Sequence, residues 1–166
     1  MHFLFTACSD LLDVEEDISF TLSFNVSSQQ TNYSGARIYD LADNVDVIDE
    51  YGSKIKEVNI SKVEVWLTSL QVVDGQSFTG GDISVSRTDG SDMTHIASHD
   101  GVLLQNLVNN RTTLTPNSDG LKFLGSLAAD PPHRFQLHTN GSVNEGPIAF
   151  LLHMEFTGKM VANPLN

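Results

Sequence analysis

Between residues 17 and 27 the chain alternates with a period of two: Ile18, Phe20, Leu22, Phe24 and Val26 are apolar, and Asp17, Ser19, Thr21, Ser23 and Asn25 are polar. Successive side chains of a strand point to opposite faces, so this segment predicts a half-buried strand whose apolar face packs on a second layer. The pattern returns near the C-terminus in Ile148, Phe150, Leu152, Met154 and Phe156, with Ala149 and Leu151 apolar as well. That predicts a central strand, ending around Val161 to Pro164. From Val58 to Leu70, Val58 and Ile60 share one phase and Val63, Val65 and Leu67 the other, so one strand requires a bulge near Ser61 and Lys62. Asp82 to Ser86 predicts a short strand after Gly80-Gly81. Arg134 to Thr139 predicts another, joined to the final strand as a hairpin through an Asn140-Gly141 turn. The alternation is thinner at residues 33–41, where Gly35 interrupts it, and at 112–115, which is short.

Three segments predict short helices: Asn44 to Tyr51, Val102 to Val108 and Ser118 to Ala129. The third has Asn117 or Ser118 as a cap, Leu121, Leu124 and Ala128 on one face, and Pro131-Pro132 to end it. In the second, Leu103, Leu104, Leu107 and Val108 form a stripe suited to covering the mouth of a sandwich. The expected fold is mostly β: a two-layer antiparallel β-sandwich, Ig-like or jelly-roll-like, with two or three short capping helices. No internal repeat divides it, so one domain spans residues 17–163.

Composition narrows what such a domain can do. Nine basic residues stand against twenty-one acidic ones in 166, a net charge of -12, and the basic ones are scattered singly. Such a surface repels phosphate backbones, which excludes nucleic acid as a partner. Cys8 is the one cysteine, so no internal disulfide forms. It follows Phe3-Leu4-Phe5 and the small residues Thr6 and Ala7, the order found at the end of a signal peptide with a lipobox. A start site further upstream would supply the remaining apolar and basic segments. Residues 1–7 are therefore expected to be the remnant of a signal peptide, and residues 8–16 a lipidated Cys8 followed by the acidic tether Asp10, Asp13, Glu15, Glu16. A cleaved but unlipidated signal and a plain soluble N-terminus are the alternatives. Two or three acyl chains on Cys8 would hold the domain firmly to a membrane, at about 0.8 kcal/mol per buried methylene.

Candidate chemistry is thin. His95 and His99 are four apart, a spacing that suits zinc on a helix with Asp92 or Asp100, but Met93 to Gly101 has no helical apolar face and reads as a solvated loop. Asp43, Asp46, Asp49 and Glu50 fall at helical spacing as a solvated face, and Asp89-Gly90-Ser91-Asp92 offers two acids in a turn without the calcium-loop pattern. His138 and His153 occupy polar positions of strands expected to pair, which predicts cross-strand contacts. No G-x-S-x-G elbow and no phosphate-cradling glycine loop occurs, so no catalytic residue, metal ligand or cofactor is assigned. Trp66 is the candidate ligand contact: it falls out of phase with Val65 and Leu67, which fits an outward ring on a strand packed on one side and fits equally a central strand buried on both faces.

Cys8, the acidic run, Asp43 to Ile55 leading through Lys54-Ile55-Lys56 into Val58 to Leu70, and the closing run Phe150 to Pro164 with Val161-Ala162-Asn163-Pro164 carry a family likeness. Along most of its length the chain resembles small Bacteroidota β-sandwich lipoproteins. The acidic run resembles the export signal that some of them carry, and reads equally as a solvated linker. The resemblance implies an address at the outer membrane or cell surface, lipid-anchored, or else periplasmic or secreted, and implies no reaction. The expected role is structural or protein-interacting, with a protein partner in the envelope. The alternative is a glycan-binding module using Trp66, Tyr33, Tyr39 and Tyr51.

Overall fold

In the computed structural model the described residues are 12–68, 71 and 74–165. Cys8 and the stretch 1–7 lie outside them. The elements run β1 (Val14–Ser28), β2 (Asn32–Asp40), α1 (Asp46–Tyr51), β3 (Ile55–Thr68), β4 (Phe78–Ser86), β5 (Thr94–Ser98), β6 (Thr112–Thr113), α2 (Ser118–Ala129), β7 (Arg134–Val143) and β8 (Ile148–Ala162). Single 3-10 turns occur at Gly52–Lys54 and Leu104–Leu107.

The strands form two antiparallel sheets, β1-β8-β3-β6 and β2-β7-β4-β5. Their pairs are nested: the first strand lies beside the eighth, the second beside the seventh, the third beside the sixth and the fourth beside the fifth. A chain folded into one long hairpin and rolled into two layers produces that order, which is the jelly-roll arrangement rather than the Ig-like one. The expected two-layer sandwich is present, and its topology follows from the pairing alone.

Alternation places the core. Every apolar residue from Ile18 to Val26 on β1 is buried, and Ile148, Phe150, Leu152, Met154 and Phe156 on β8 are buried beside them. Phe20 stacks on Phe156 of its own sheet and on Tyr39 of the other, with ring centroids 5.3 and 5.6 Å apart, so one aromatic column joins the layers. On β3 the register shifts between Ile60 and Lys62, where the two apolar phases required it, and Val63, Val65 and Leu67 continue inward.

Several expectations are corrected. β7 and β8 are not a hairpin: they belong to different sheets, β7 runs straight through Asn140-Gly141, and residues 144–147 carry the chain across. β5 is a strand where a loop was expected. Its alternation is hidden because an extra residue at Ile96 leaves both Ile96 and Ala97 buried. The segment Val102 to Val108 forms a single 3-10 turn, because Phe78 N–H donates to Val102 O and Leu104 N–H to Gln76 O, holding the chain extended up to the turn. Residues 14–16, expected to be part of an acidic tether, belong to β1. They pair with β8, Asp13 takes a salt bridge from Lys56 at 2.8 Å, and Glu15 is paired with Lys159.

Helix α2 matches its expected bounds and closes one side of the sandwich. Asn117 Oδ1 accepts from the backbone N–H groups of Asp119 and Gly120, satisfying two orphan donors of the first turn. A Cβ on Gly120 would lie 2.0 Å from His95 O of β5, and one on Gly125 2.2 Å from Val58 O of β3. The two glycines let the helix backbone settle onto the edge strand β5 and onto the stretch of β3 that the short β6 does not reach, which covers backbone groups exposed on that side of both sheets. On the opposite side, Arg37 takes an inward-phase position of edge strand β2 and donates to Ser23 O of edge strand β1 at 3.1 Å. An inward charge at an edge disfavours the pairing of further strands.

Candidate functional site

A constellation of polar and aromatic side chains built across strands lies on the outer face of the β1-β8-β3-β6 sheet. The bulge in β3 sets the phase that turns Trp66, Thr68 and Glu64 outward while Val63, Val65 and Leu67 face the core. Register then aligns Ser23 of β1, His153 of β8 and Trp66 of β3 in one row. His153 Nδ1 is 2.7 Å from Ser23 Oγ, and Nε2 is 2.7 Å from Thr68 Oγ1. The imidazole stacks on the indole with centroids 5.0 Å apart and planes 13° from parallel. The Arg111 guanidinium, just before β6, sits 4.2 Å from the centre of the same ring and donates to Glu155 Oε1 at 2.6 Å. Partial burial, with the Arg111 charge nearby, pushes the His153 pKa down, so the ring is neutral at pH 7. Lys62, hydrogen-bonded to Glu64, holds that carboxyl below the usual range. Beside the row runs a shallow groove of about 380 Å³ lined by Asn25, Ser27, Ala149 and Leu151.

A hydroxyl on a neutral imidazole is the first half of a nucleophilic relay, but here the second ring nitrogen meets another hydroxyl instead of a carboxylate. No carboxylate in the row meets the ring to hold an imidazolium in place, and the Arg111 charge opposes one. A second group, on the outer face of the other sheet, has the composition of a triad without its wiring. Ser98 Oγ and Asp82 Oδ1 both approach His95 Nε2, at 2.8 and 3.3 Å, whereas a relay needs the acid on the nitrogen that the hydroxyl leaves free. Both groups are cross-strand polar ladders.

The residues singled out from the sequence do not converge. Trp66 does face outward and is half-buried, yet His153 of β8 and Arg111, just before β6, take up ring surface that a sugar would need for stacking. Tyr33 and Tyr39 are buried in the core and offer no platform. His95 and His99 are no metal pair: the extra residue at Ile96 leaves His95 exposed and sends His99 inward, where it bonds Tyr33. Among the described residues no group of three or more His, Cys, Asp or Glu could hold a metal ion. The turn at Asp89 to Asp92 is closed by its own contacts, Ser91 on Asp89 and Arg87 on Asp92. His138 and His153 each make a cross-strand contact, His138 with Ser86 at 2.8 Å, but in different sheets and not with each other. The pairing of His99 with Tyr33 escaped the sequence reading; its signal was the strand glycines Gly81 and Gly141, which mark close approach by a neighbour.

No protein-family model matches the chain, and no curated protein sequence is similar to it. Among solved structures, a chain from Desmodium yellow mottle tymovirus is similar at 10% identity over 90% of this chain and 87% of that one, with a TM-score of 0.33. A chain from turnip yellow mosaic virus is similar at 7% identity over 90% and 94%, with a TM-score of 0.30. Likeness this slight bears on neither the topology nor the activity of this chain.

Proposed function

We propose that this chain is a lipid-anchored protein of the cell envelope whose β-sandwich has a structural or protein-interaction role, moored through Cys8 at the outer membrane or cell surface. The observation that carries the reading is Thr6-Ala7-Cys8 lying directly upstream of the first strand. Val14 opens β1, so the six residues from Cys8 reach at most about 22 Å. A diacylated Cys8 would keep the domain close to the lipid and give it a direction. The end carrying Val14, Ile55 and Ala162, which are register neighbours, would lie toward the membrane. The opposite end, with the β3–β4, β5–β6 and β7–β8 connections, would point away and meet a partner. Its loops are rich in amides and hydroxyls, such as Gln105, Asn106, Asn109, Asn110 and Asn144, chemistry suited to a polar protein surface.

Cell fractionation with labelled palmitate tests the mooring. The wild-type chain is expected in the membrane fraction carrying label, and Cys8→Ser in the soluble fraction without it; an unlabelled wild type, or a Cys8→Ser chain still held in the membrane, refutes it. Cross-linking in intact envelopes tests the role, for which repeated recovery of one protein partner is expected and repeated recovery of none counts against it.

A further inference from the structure

One cross-strand row of the β2-β7-β4-β5 sheet has glycine at both central positions. Tyr33 of β2 lies opposite Gly141 of β7, Gly141 lies opposite Gly81 of β4, and the backbone N–H of His99, just after β5, donates to Gly81 O at 2.9 Å. Each ring fills the space of a missing side chain. A Cβ on Gly141 would lie 2.5 Å from Tyr33 Oη, and one on Gly81 2.3 Å from His99 Nε2. The rings meet over the glycines with Tyr33 Oη 2.9 Å from His99 Nε2, and Phe78 stands edge-on to the imidazole at 4.6 Å. His99 is 5% exposed, and its Nδ1 has no hydrogen-bond partner among the described residues.

His99 begins a strip that closes the end of the sandwich opposite the start of β1. Gly101 N–H donates to Phe78 O at 2.8 Å, Phe78 N–H to Val102 O at 2.9 Å, and Leu104 N–H to Gln76 O at 2.9 Å. The strip then plugs the core with Leu104 and Leu107, both buried. We propose that His99 is an acid-sensitive latch: neutral, it pins the 99–107 strip over Phe78 and Tyr33, and protonation releases the strip from the end of the sandwich.

The charges around His99 decide the direction. Burial pushes its pKa down, against the pull of Asp82 from β4 and Asp100 from the strip itself. Tyr33, from β2, stays a neutral phenol because burial pushes its pKa up. The other neighbours of the pair bring no charge: Gly141 and Thr139 from β7, and Phe150 from β8, which packs on Tyr33. An imidazolium here would keep an unpaired N–H in an apolar site, and lifting the strip brings it to water. The opening is local because β4 keeps its pairing with β7 when the strip leaves.

Hydrogen exchange on the full chain tests the latch, read at the amides of Gly101 and Leu104 against Leu124 in α2. After correction for intrinsic exchange, the strip is expected to lose about tenfold in protection between about pH 7.5 and about pH 5, with Leu124 losing less. His99→Phe keeps a ring over Gly81, takes no proton, and is expected to remove that difference. Equal protection of the strip at both pH values, or the same loss in His99→Phe, overturns the proposal. Should His99→Phe fail to fold, the wild-type imidazole followed by NMR decides: His99 is expected to stay neutral until the strip amides open, and a ring that charges in the ordinary histidine range under a protected strip overturns it.

Discussion

Two histidines of this chain have pKa values lowered first of all by burial, and their surroundings make them opposites. His153 lies on the outer face of one sheet with a hydroxyl on each ring nitrogen and an indole against its plane. His99 lies inside the other sheet, with one nitrogen on Tyr33 and the other without a partner among the described residues. Water can take over the partners of the first when its ring is lost or charged. Nothing takes over for the second short of moving backbone. Equal chemistry thus yields a polar ladder in one place and a conditional closure in the other, and what separates them is whether the second ring nitrogen is satisfied.

The comparison breaks most forcefully at the glycines. Gly81→Ala drives a methyl into the His99 ring and is expected to cost about 3 kcal/mol in urea unfolding. Gly80→Ala, one residue away, meets only Ser142 Oγ at 4.0 Å and is expected to stay within about 0.5 kcal/mol. Equal losses at the two positions would mean that the rings do not lie over the sheet as described.

Acid comes next. A histidine whose folded pKa is depressed takes up its proton more readily when unfolded, so its neutral form favours the fold above the unfolded value of about 6.5, and that advantage is lost as pH falls. For His99 the loss is expected at up to about 1.4 kcal/mol per pH unit below about 6.5, and denaturation of His99→Phe across the same range should show a shallower slope. His153→Ala is smaller: Ser23 and Thr68 are half-buried and turn to water, giving an expected cost of about 1 kcal/mol. The mildest probe leaves the chain intact. Trp66 is the one tryptophan, and a protonated imidazole stacked on it quenches its emission, so a fluorescence titration should show quenching centred below the ordinary histidine value. A midpoint at or above that value would contradict the burial described for His153.

The parts of the fold legible in the sequence are those where one local rule acted alone. Alternation in β1 and β8 placed the core, the phase switch at Ser61 placed the bulge, and Asn117 with Pro131 bounded α2. What stayed hidden depends on contacts between distant segments. Asn140-Gly141 has the composition of a turn, and only the ring of Tyr33, more than a hundred residues earlier, explains a glycine inside a strand there. β5 has no alternation to read because the extra residue at Ile96 cancels it. Of the candidate site, the phase of Trp66 against Val65 and Leu67 was legible, whereas the face it meets and its cover of His153 and Arg111 come from strand order and layering.

The proposed mooring through Cys8 is tested most directly by the intact mass of the chain as produced in its native cells. The expected species begins at Cys8 and carries the added mass of diacylglycerol with or without a further acyl chain. A species that retains residues 1–7 and a free thiol on Cys8 would contradict the account.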